Sequence, residues 1–260
     1  MDDLTVIRVA IEDHVAVVTM DNPPVNAQDR RFNEEVALVF DRLSEMDEVR
    51  CAVLTGAGRV FSAGADIKAR AAMAAERRPG DGLQHLRRAR ECYHSVYECR
   101  KPVIAAINGP ALGAGLALAA SCDILVCSEN AVLGLPEVDV GLLGGGRHAM
   151  RLFGHSLTRR MMLTGYRVPG PELYRLGVVE ACVPQERLME VAMDLARQVA
   201  SKSPVATRLA KHGLNAIEFS SLRDGYRFEQ ELTAELGRYE DSREAMRAFL
   251  EKRPPVFKGR

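Results

Sequence analysis

Apolar and polar positions follow two rhythms along this chain. Val6–Ile11 and Val15–Met20 are short, β-branched runs separated by Glu12, Asp13 and His14, a pattern that predicts a hairpin. Residues 21–27 predict an irregular connection, because Pro23 and Pro24 both lack a backbone donor. Within Phe32–Met46, Val36, Val39, Phe40 and Leu43 recur at helical spacing, which predicts an amphipathic helix. Three wholly apolar segments, CAVLTG (51–56), PVIAAING (102–109) and DILVCS (123–128), alternate with helical stretches. They predict strands of a parallel sheet covered on both faces, an α/β fold. Beyond Arg147 the pattern turns helical, and from Gly154 to Arg260 only GVVEACVP (177–184) predicts a strand. Ser203 before Pro204 predicts an N-cap, and residues 221–236 and 241–255 predict two further amphipathic helices. No Ser/Gly- or Pro-rich linker and no internal repeat divides the chain. One α/β core with a helical C-terminal extension results, and the extension needs a surface to cover, for which a neighbouring subunit is a candidate.

Composition narrows the function. The 260 residues suffice for one large core, and 35 Lys+Arg against 35 Asp+Glu give a formal net charge of +0. That balance favours neither nucleic acid nor another polyanion as partner. Six cysteines form no C-x-x-C pair and read as reduced and mostly buried. The acidic start MDDLTVIRVA predicts no signal peptide, and the longest apolar run, Ala111–Ala120, is too short to span a bilayer. A soluble, cytoplasmic protein is expected.

Three loops after apolar strands carry the candidate chemistry: AGRVFSAGADIK after residue 56, PALGAGLALAASCD after 109, and LPEVDVGLLGGGRHAM after 134. Ligands of parallel sheets bind outside the carboxyl ends of the strands, so the three can meet at one pocket. The first two are rich in small residues and lead into helices, where unpaired N–H groups can hold an oxyanion. Gly-rich turns also serve close helix–strand packing, so each loop alone is weak. The third adds Glu137 between apolar neighbours, and a carboxylate buried there becomes a usable proton shuttle.

The motifs NPPVNA, GRVFSAGADIK, KPVIAAINGPALGAGLALAASCDI, LGLPEVDVGL and the closing AFLEKRPPVFKGR together resemble the enoyl-CoA hydratase/isomerase, or crotonase, superfamily, in its order and over nearly the whole chain. The resemblance implies a crotonase-like ββα spiral core over 1–195 and a helical C-terminal trimerisation region over 196–260, assembled as a homotrimer or dimer of trimers. It implies an acyl-CoA thioester as substrate, with no separate cofactor because coenzyme A belongs to the substrate, and no metal, nucleic acid or membrane. By motif, the N–H groups of Ala65 and Ala114 form the oxyanion hole and Glu137 is the acid/base. Val25, Ala63, Asp66, Ile67, Leu112, Pro136 and His148 contact substrate, with the backbone around Ala63, Asp66 and Ile67 at the adenine end.

The chain departs from the pattern in two places. The hydratases' second glutamate falls on Ala117, which can neither orient water nor exchange a proton. The aspartate of the dienoyl-CoA isomerase and dehalogenase branches falls on Gly145. Arg147 and His148 stand where many relatives are small; they read as a solvated or interface pair, or as groups entering the acyl pocket. His94, Asp139, Met161 and Met162 read as structural, and the basic segment 76–90 as a solvated helix face or a contact for CoA phosphates. One carboxylate beside an oxyanion hole suits isomerase-type proton transfer. The alternatives are an atypical hydratase or hydratase-lyase with a substitute acid and, from another class, a non-catalytic acyl-CoA or RNA binder.

Overall fold

The computed structural model describes residues 3–75 and 78–260. Strands β1 (Ile7–Glu12) and β2 (Val15–Met20) form the expected hairpin, whose turn residues Asp13 and His14 both take positive φ, 48° and 65°. That backbone twist matches the twist of the strands it joins. The chain continues through β3 (Ala27–Gln28), α1 (Arg30–Glu45), β4 (Cys51–Gly56), β5 (Gly64–Ala65), α2 (Ile67–Ala75), α3 (Asp81–Glu98), β6 (Val103–Ile107), β7 (Pro110–Leu112), α4 (Ala114–Ala120), β8 (Ile124–Ser128) and β9 (Val132–Gly134). A 3-10 turn at Pro136–Val140 leads to α5 (Gly146–Leu152), α6 (His155–Thr164), β10 (Arg167–Pro169), α7 (Gly170–Arg175), β11 (Ala181–Val183), α8 (Leu188–Ala200), α9 (Pro204–Ile217), α10 (Leu222–Leu236) and α11 (Glu240–Leu250).

The main sheet has the order β1-β2-β4-β6-β8-β11, parallel from β2 onward. Its strands lack alternation because both faces are covered. Cys51, Val53, Ile104 and Ala106 meet α8, through Leu188, Ala192, Ala196 and Ala200. Their neighbours Ala52, Leu54, Val103, Ala105 and Ile107 meet α1, α3 and α4, through Phe40, Val96 and Leu116. Burying each such large side chain contributes roughly 1.5–3 kcal/mol. The strand expected over 177–184 shrinks to Ala181–Val183, because Gly177 at φ +70° and the bond from Val178 N–H to Leu173 O (2.9 Å) use its first half to close α7.

Helix α8 crosses the boundary expected at 195/196 and packs on the sheet along its whole length, so the helices beyond the sheet begin at α9. The Ser203 hydroxyl accepts from Ala206 N–H at 3.3 Å and caps α9 as expected. Buried Lys211 anchors α9 to its own core: its Nζ lies 2.8 Å from Asp123 Oδ2 and 3.2 Å from the carbonyls of Val96 and Lys101. Two short sheets, β10-β9-β7 and β3-β5, sit beyond the strand ends and shape the site.

Candidate functional site

The loop between β4 and β5 is held from both sides by buried asparagines. Asn26 Nδ2 donates to the carbonyls of Ala57 (3.1 Å) and Val60 (2.8 Å). Asn108 Oδ1 accepts from Gly56 N–H (3.1 Å), and its Nδ2 donates to Gly58 O (3.0 Å). Such fully paired side chains fix a loop that has no ladder of its own. Ala65 follows directly. Asp66 N–H, not that of Ala65, donates to Gln28 O across the β3–β5 pair (3.2 Å). Successive peptide groups of an extended strand face opposite ways, so the Ala65 N–H points away from β3.

Close approaches at glycines join the three loops. A β-carbon on Gly64 would stand 2.5 Å from Leu112 O and 3.2 Å from Ala114 N, so only glycine lets β5 meet the start of α4. A β-carbon on Gly113 would overlap Glu137 Oε1, which places the carboxylate against the same junction. Gly145 approaches Leu135 Cδ2, at 2.8 Å from its would-be β-carbon, and closes the third loop over the second. Ala65, Ala114 and Glu137, inferred from three separate motifs, therefore meet. Helix α4 has seven residues, too few for a strong macrodipole, and what its start offers is individual N–H donors, that of Ala114 lacking an intrahelical partner.

Glu137 is half-buried, and its Oε2 is out of reach of solvent with no hydrogen-bond partner among the described residues. Burial raises its pKa above the ordinary carboxylate value, and a bond to its own N–H offsets this only partly. Ala117 is 1 % exposed within α4 and supplies no second acid.

His148 is half-buried and meets Tyr93 edge-on, ring centroids 5.3 Å apart. Burial, then the charges of Arg151, His94 and Arg147, push its pKa down to about 4, so it is neutral at pH 7. Tyr93 donates to Gln28 Oε1 at 3.1 Å; burial raises its pKa, with the Glu137 charge adding to the effect. Arg147 is exposed and lies over the Phe219 ring, 4.0 Å from its centroid, the solvated reading of that residue. His94 is exposed rather than packed, because it lies on the solvent side of α3. The Asp139 carboxylate lies against Gly165, which ends α6, a turn contact as expected. Met161 is fully buried and Met162 packs beside it.

The substrate-contact residues divide. Val25 O accepts from Ala63 N–H (3.0 Å), and Leu112 N–H donates to Ser62 O (3.0 Å), so both tie down the loop that leads to Ala65. Ala63 and Ile67 are exposed beside it, Ile67 at 43 %. Asp66 spends its carboxylate on Ala69 N–H (2.9 Å), at the start of α2. Pro136 is half-buried and opens the 3-10 turn that carries Glu137. Of the basic segment 76–90, Glu76 and Arg77 lie outside the described residues, and Arg88 pairs with Glu34 at 2.9 Å. Asn26, Gln28, Ser62, Tyr93 and Asn108 are not singled out from sequence; Asn26, Ser62 and Asn108 carried the signal of a polar residue set singly among apolar or small ones, whereas Gln28 beside Asp29 and Tyr93 beside His94 carried none. Cavity size does not mark the site. A cleft of about 780 Å³ opens instead between the end of α3 and α9–α10, lined by Tyr97, Arg208, His212 and Tyr239, with Ala65, Ala114 and Glu137 not on its walls.

Among the described residues no helix is long and apolar enough to cross a membrane. Comparison with known proteins is consistent along the chain. The family model described as enoyl-CoA hydratase/isomerase matches residues 10–260. A carnitinyl-CoA dehydratase of Citrobacter koseri is 36% identical over 256 residues, covering 94% of each chain. A probable enoyl-CoA hydratase of Bacillus subtilis is 35% identical, covering 98% of this chain and 100% of its own. The crystal structure of an enoyl-CoA hydratase from Bacillus anthracis superposes with a TM-score of 0.92 at 32% identity, covering 98% of this chain and 100% of its own.

Proposed function

The chain belongs to the enoyl-CoA hydratase/isomerase family, and from that premise we propose that it moves a proton between two carbons of an acyl-CoA thioester, with Glu137 as sole acid/base. The thioester oxygen is held between the N–H groups of Ala65 and Ala114, each worth roughly 10²–10³ in rate by analogy with other oxyanion holes. The Glu137 carboxylate takes the C2 proton of a 3-enoyl-CoA. The electron pair moves onto the thioester oxygen, and the same proton returns at C4 to give the 2-enoyl product. The observation that carries this reading is the buried Oε2 of Glu137, without a hydrogen-bond partner among the described residues and against Gly113 at the start of α4, a helix that has no carboxylate of its own.

A second reading is addition or removal of water, favoured by the names of the relatives, which are hydratases and a dehydratase. It requires Tyr93 or His148 to do what a second glutamate does. Incubating an acyl-CoA in deuterated water separates the two: the first reading expects exchange at C2 without a 3-hydroxy product. Loss of the conjugated thioester absorbance of crotonyl-CoA would overturn it in favour of hydration, and neither signal would leave a binder.

We also propose three copies per assembly, singly or as two stacked trimers, in the cytoplasm. Support comes from apolar side chains left in solvent on the last helices, Leu222 at 91 %, Phe249 at 83 % and Leu250 at 80 %. The mass in solution by sedimentation tests this.

A further inference from the structure

The hydrogen bonds flanking Ala65 converge on two side chains that the proton transfer does not use. Ser62 is fully buried, and its hydroxyl donates to Asn26 O at 2.7 Å. The same oxygen accepts from Gly64 N–H at 3.3 Å and from Gln28 Nε2 at 3.2 Å. Gln28, 3 % exposed, stands opposite Ala65 in the β3–β5 register. Its backbone O accepts from Asp66 N–H (3.2 Å), and its Oε1 accepts from Tyr93 OH (3.1 Å).

Donor directions in this chain are forced. Asn26 O can only accept, so the Ser62 proton is committed to it, and Ser62 can then only accept from Gln28. The Gln28 amide must therefore turn Nε2 to Ser62 and Oε1 to Tyr93, which makes the tyrosine the outer donor. The peptide groups before and after Ala65 are tied down, Gly64 by Ser62 and Asp66 by Gln28, while that of Ala65 is left to the site. Gly64, at φ +91°, has no side chain to hold its torsions, so the neighbouring ties must do so.

We infer that Gln28 and Ser62 are positioning residues that set the direction of the Ala65 oxyanion donor, with Tyr93 clamping Gln28 from α3. This inference rests on the oxyanion reading above. A preorganised donor acts only within about half an ångström of its productive place, so loosening these ties lowers turnover more than binding.

The probe is acetoacetyl-CoA, which ionises to a near-ultraviolet-absorbing enolate when its thioester oxygen is stabilised. Wild type, Gln28→Met and Ser62→Ala are titrated with it, and their binding of saturated butyryl-CoA is measured in parallel. Thr55→Val, which removes the buried Thr55 Oγ1 to Ala106 O bond (2.8 Å) within the sheet, is the control for lost stability alone. The expected result is a bound-enolate fraction about 10-fold lower in Gln28→Met and Ser62→Ala at one pH, with butyryl-CoA affinity retained and the control unchanged. Wild-type enolate levels in either folded variant overturn the positioning role and leave the proposed reaction standing. No enolate in wild type overturns the oxyanion reading and the inference with it. Should one variant fail to fold, the other decides.

Discussion

Two glutamates in this fold are withdrawn from water and treated in opposite ways. Glu35, on α1, is 9 % exposed, and its carboxylate accepts from Thr5 N–H, Thr5 Oγ1, Val6 N–H and Ile7 N–H at 2.7–3.1 Å. Burial alone would raise its pKa; the bonds from Val6, Thr5 and Ile7 outweigh that and hold it below the ordinary value. Glu137 lies against the bare α-carbon of Gly113, with an Oε2 that has no partner among the described residues and a raised pKa. The first stitches residues 5–7 to α1; the second keeps a raised proton affinity, which the proposed reaction uses. Hydrogen bonding, more than burial, separates a structural carboxylate from a reactive one here.

The largest effect expected is from Glu137→Gln. Under the proposed proton transfer, losing its acid/base lowers kcat/KM by about 10³-fold or more in the isotope-exchange assay. Stability moves the other way. A raised folded-state pKa means the fold holds this proton more tightly than the unfolded chain, so stability falls as pH rises from the ordinary value through the raised one. At pH 7 the amide relieves that cost, and thermal unfolding shifts up by about 2–4 °C, a gain that calorimetry reads and that vanishes in acid. A lower Tm for Glu137→Gln at pH 7 would break the contrast with Glu35.

Next comes Gly113→Ala. Its φ of +55° strains any side chain, and the methyl group overlaps Glu137 Oε1. The carboxylate must swing away, and kcat falls about 10²-fold with KM little changed. Equal turnover in steady-state assays would mean that the Glu137 carboxylate works from elsewhere.

Glu35→Ala leaves Thr5, Val6 and Ile7 N–H without acceptors and costs about 3 kcal/mol, which denaturant unfolding measures, with turnover intact. Because the folded-state pKa of Glu35 is lowered, its stabilisation is full above the ordinary carboxylate value and lost as pH falls through the lowered one. The acid-side decline of stability should therefore shrink in Glu35→Ala.

Much of this was legible in sequence. Apolar runs at 51–56 and 123–128 announced covered parallel strands, and Val36, Val39, Phe40 and Leu43 announced the buried face of α1. Glu137 stood out because its neighbours are apolar. Glu35 did not, since a glutamate on an amphipathic helix reads as solvent-facing until Thr5, Val6 and Ile7, leading into β1, arrive as donors. Strands β7 and β9, three residues each, are too short to show a period; they pair with one another, β9 also with β10, and Ala111 of β7 bridges Ser62. The glycine contacts of the site were visible as composition but not as partners, because a missing β-carbon tells what is kept out, never what comes close. Lys211 likewise reads as a surface residue until Asp123, 88 positions earlier, meets it, a distance that sequence spacing cannot foresee.

The smallest expected effect sharpens the comparison most. If Glu137 alone titrates in the catalytic range, kcat/KM falls on the acid side, at a pH above the ordinary carboxylate value, because the base must be ionised. His148, edge-on against Tyr93, has its pKa pushed down to about 4 by burial and by Arg151, His94 and Arg147, so it stays neutral through that limb. His148→Gln preserves a neutral polar group against Tyr93, and the limb should move by less than about 0.3 pH units while kcat/KM changes less than about 3-fold. A limb displaced by a full unit would transfer the titration to the imidazole. The neutral neighbours of Glu137 would then be part of its acid/base pair, and hydration would take precedence over proton transfer.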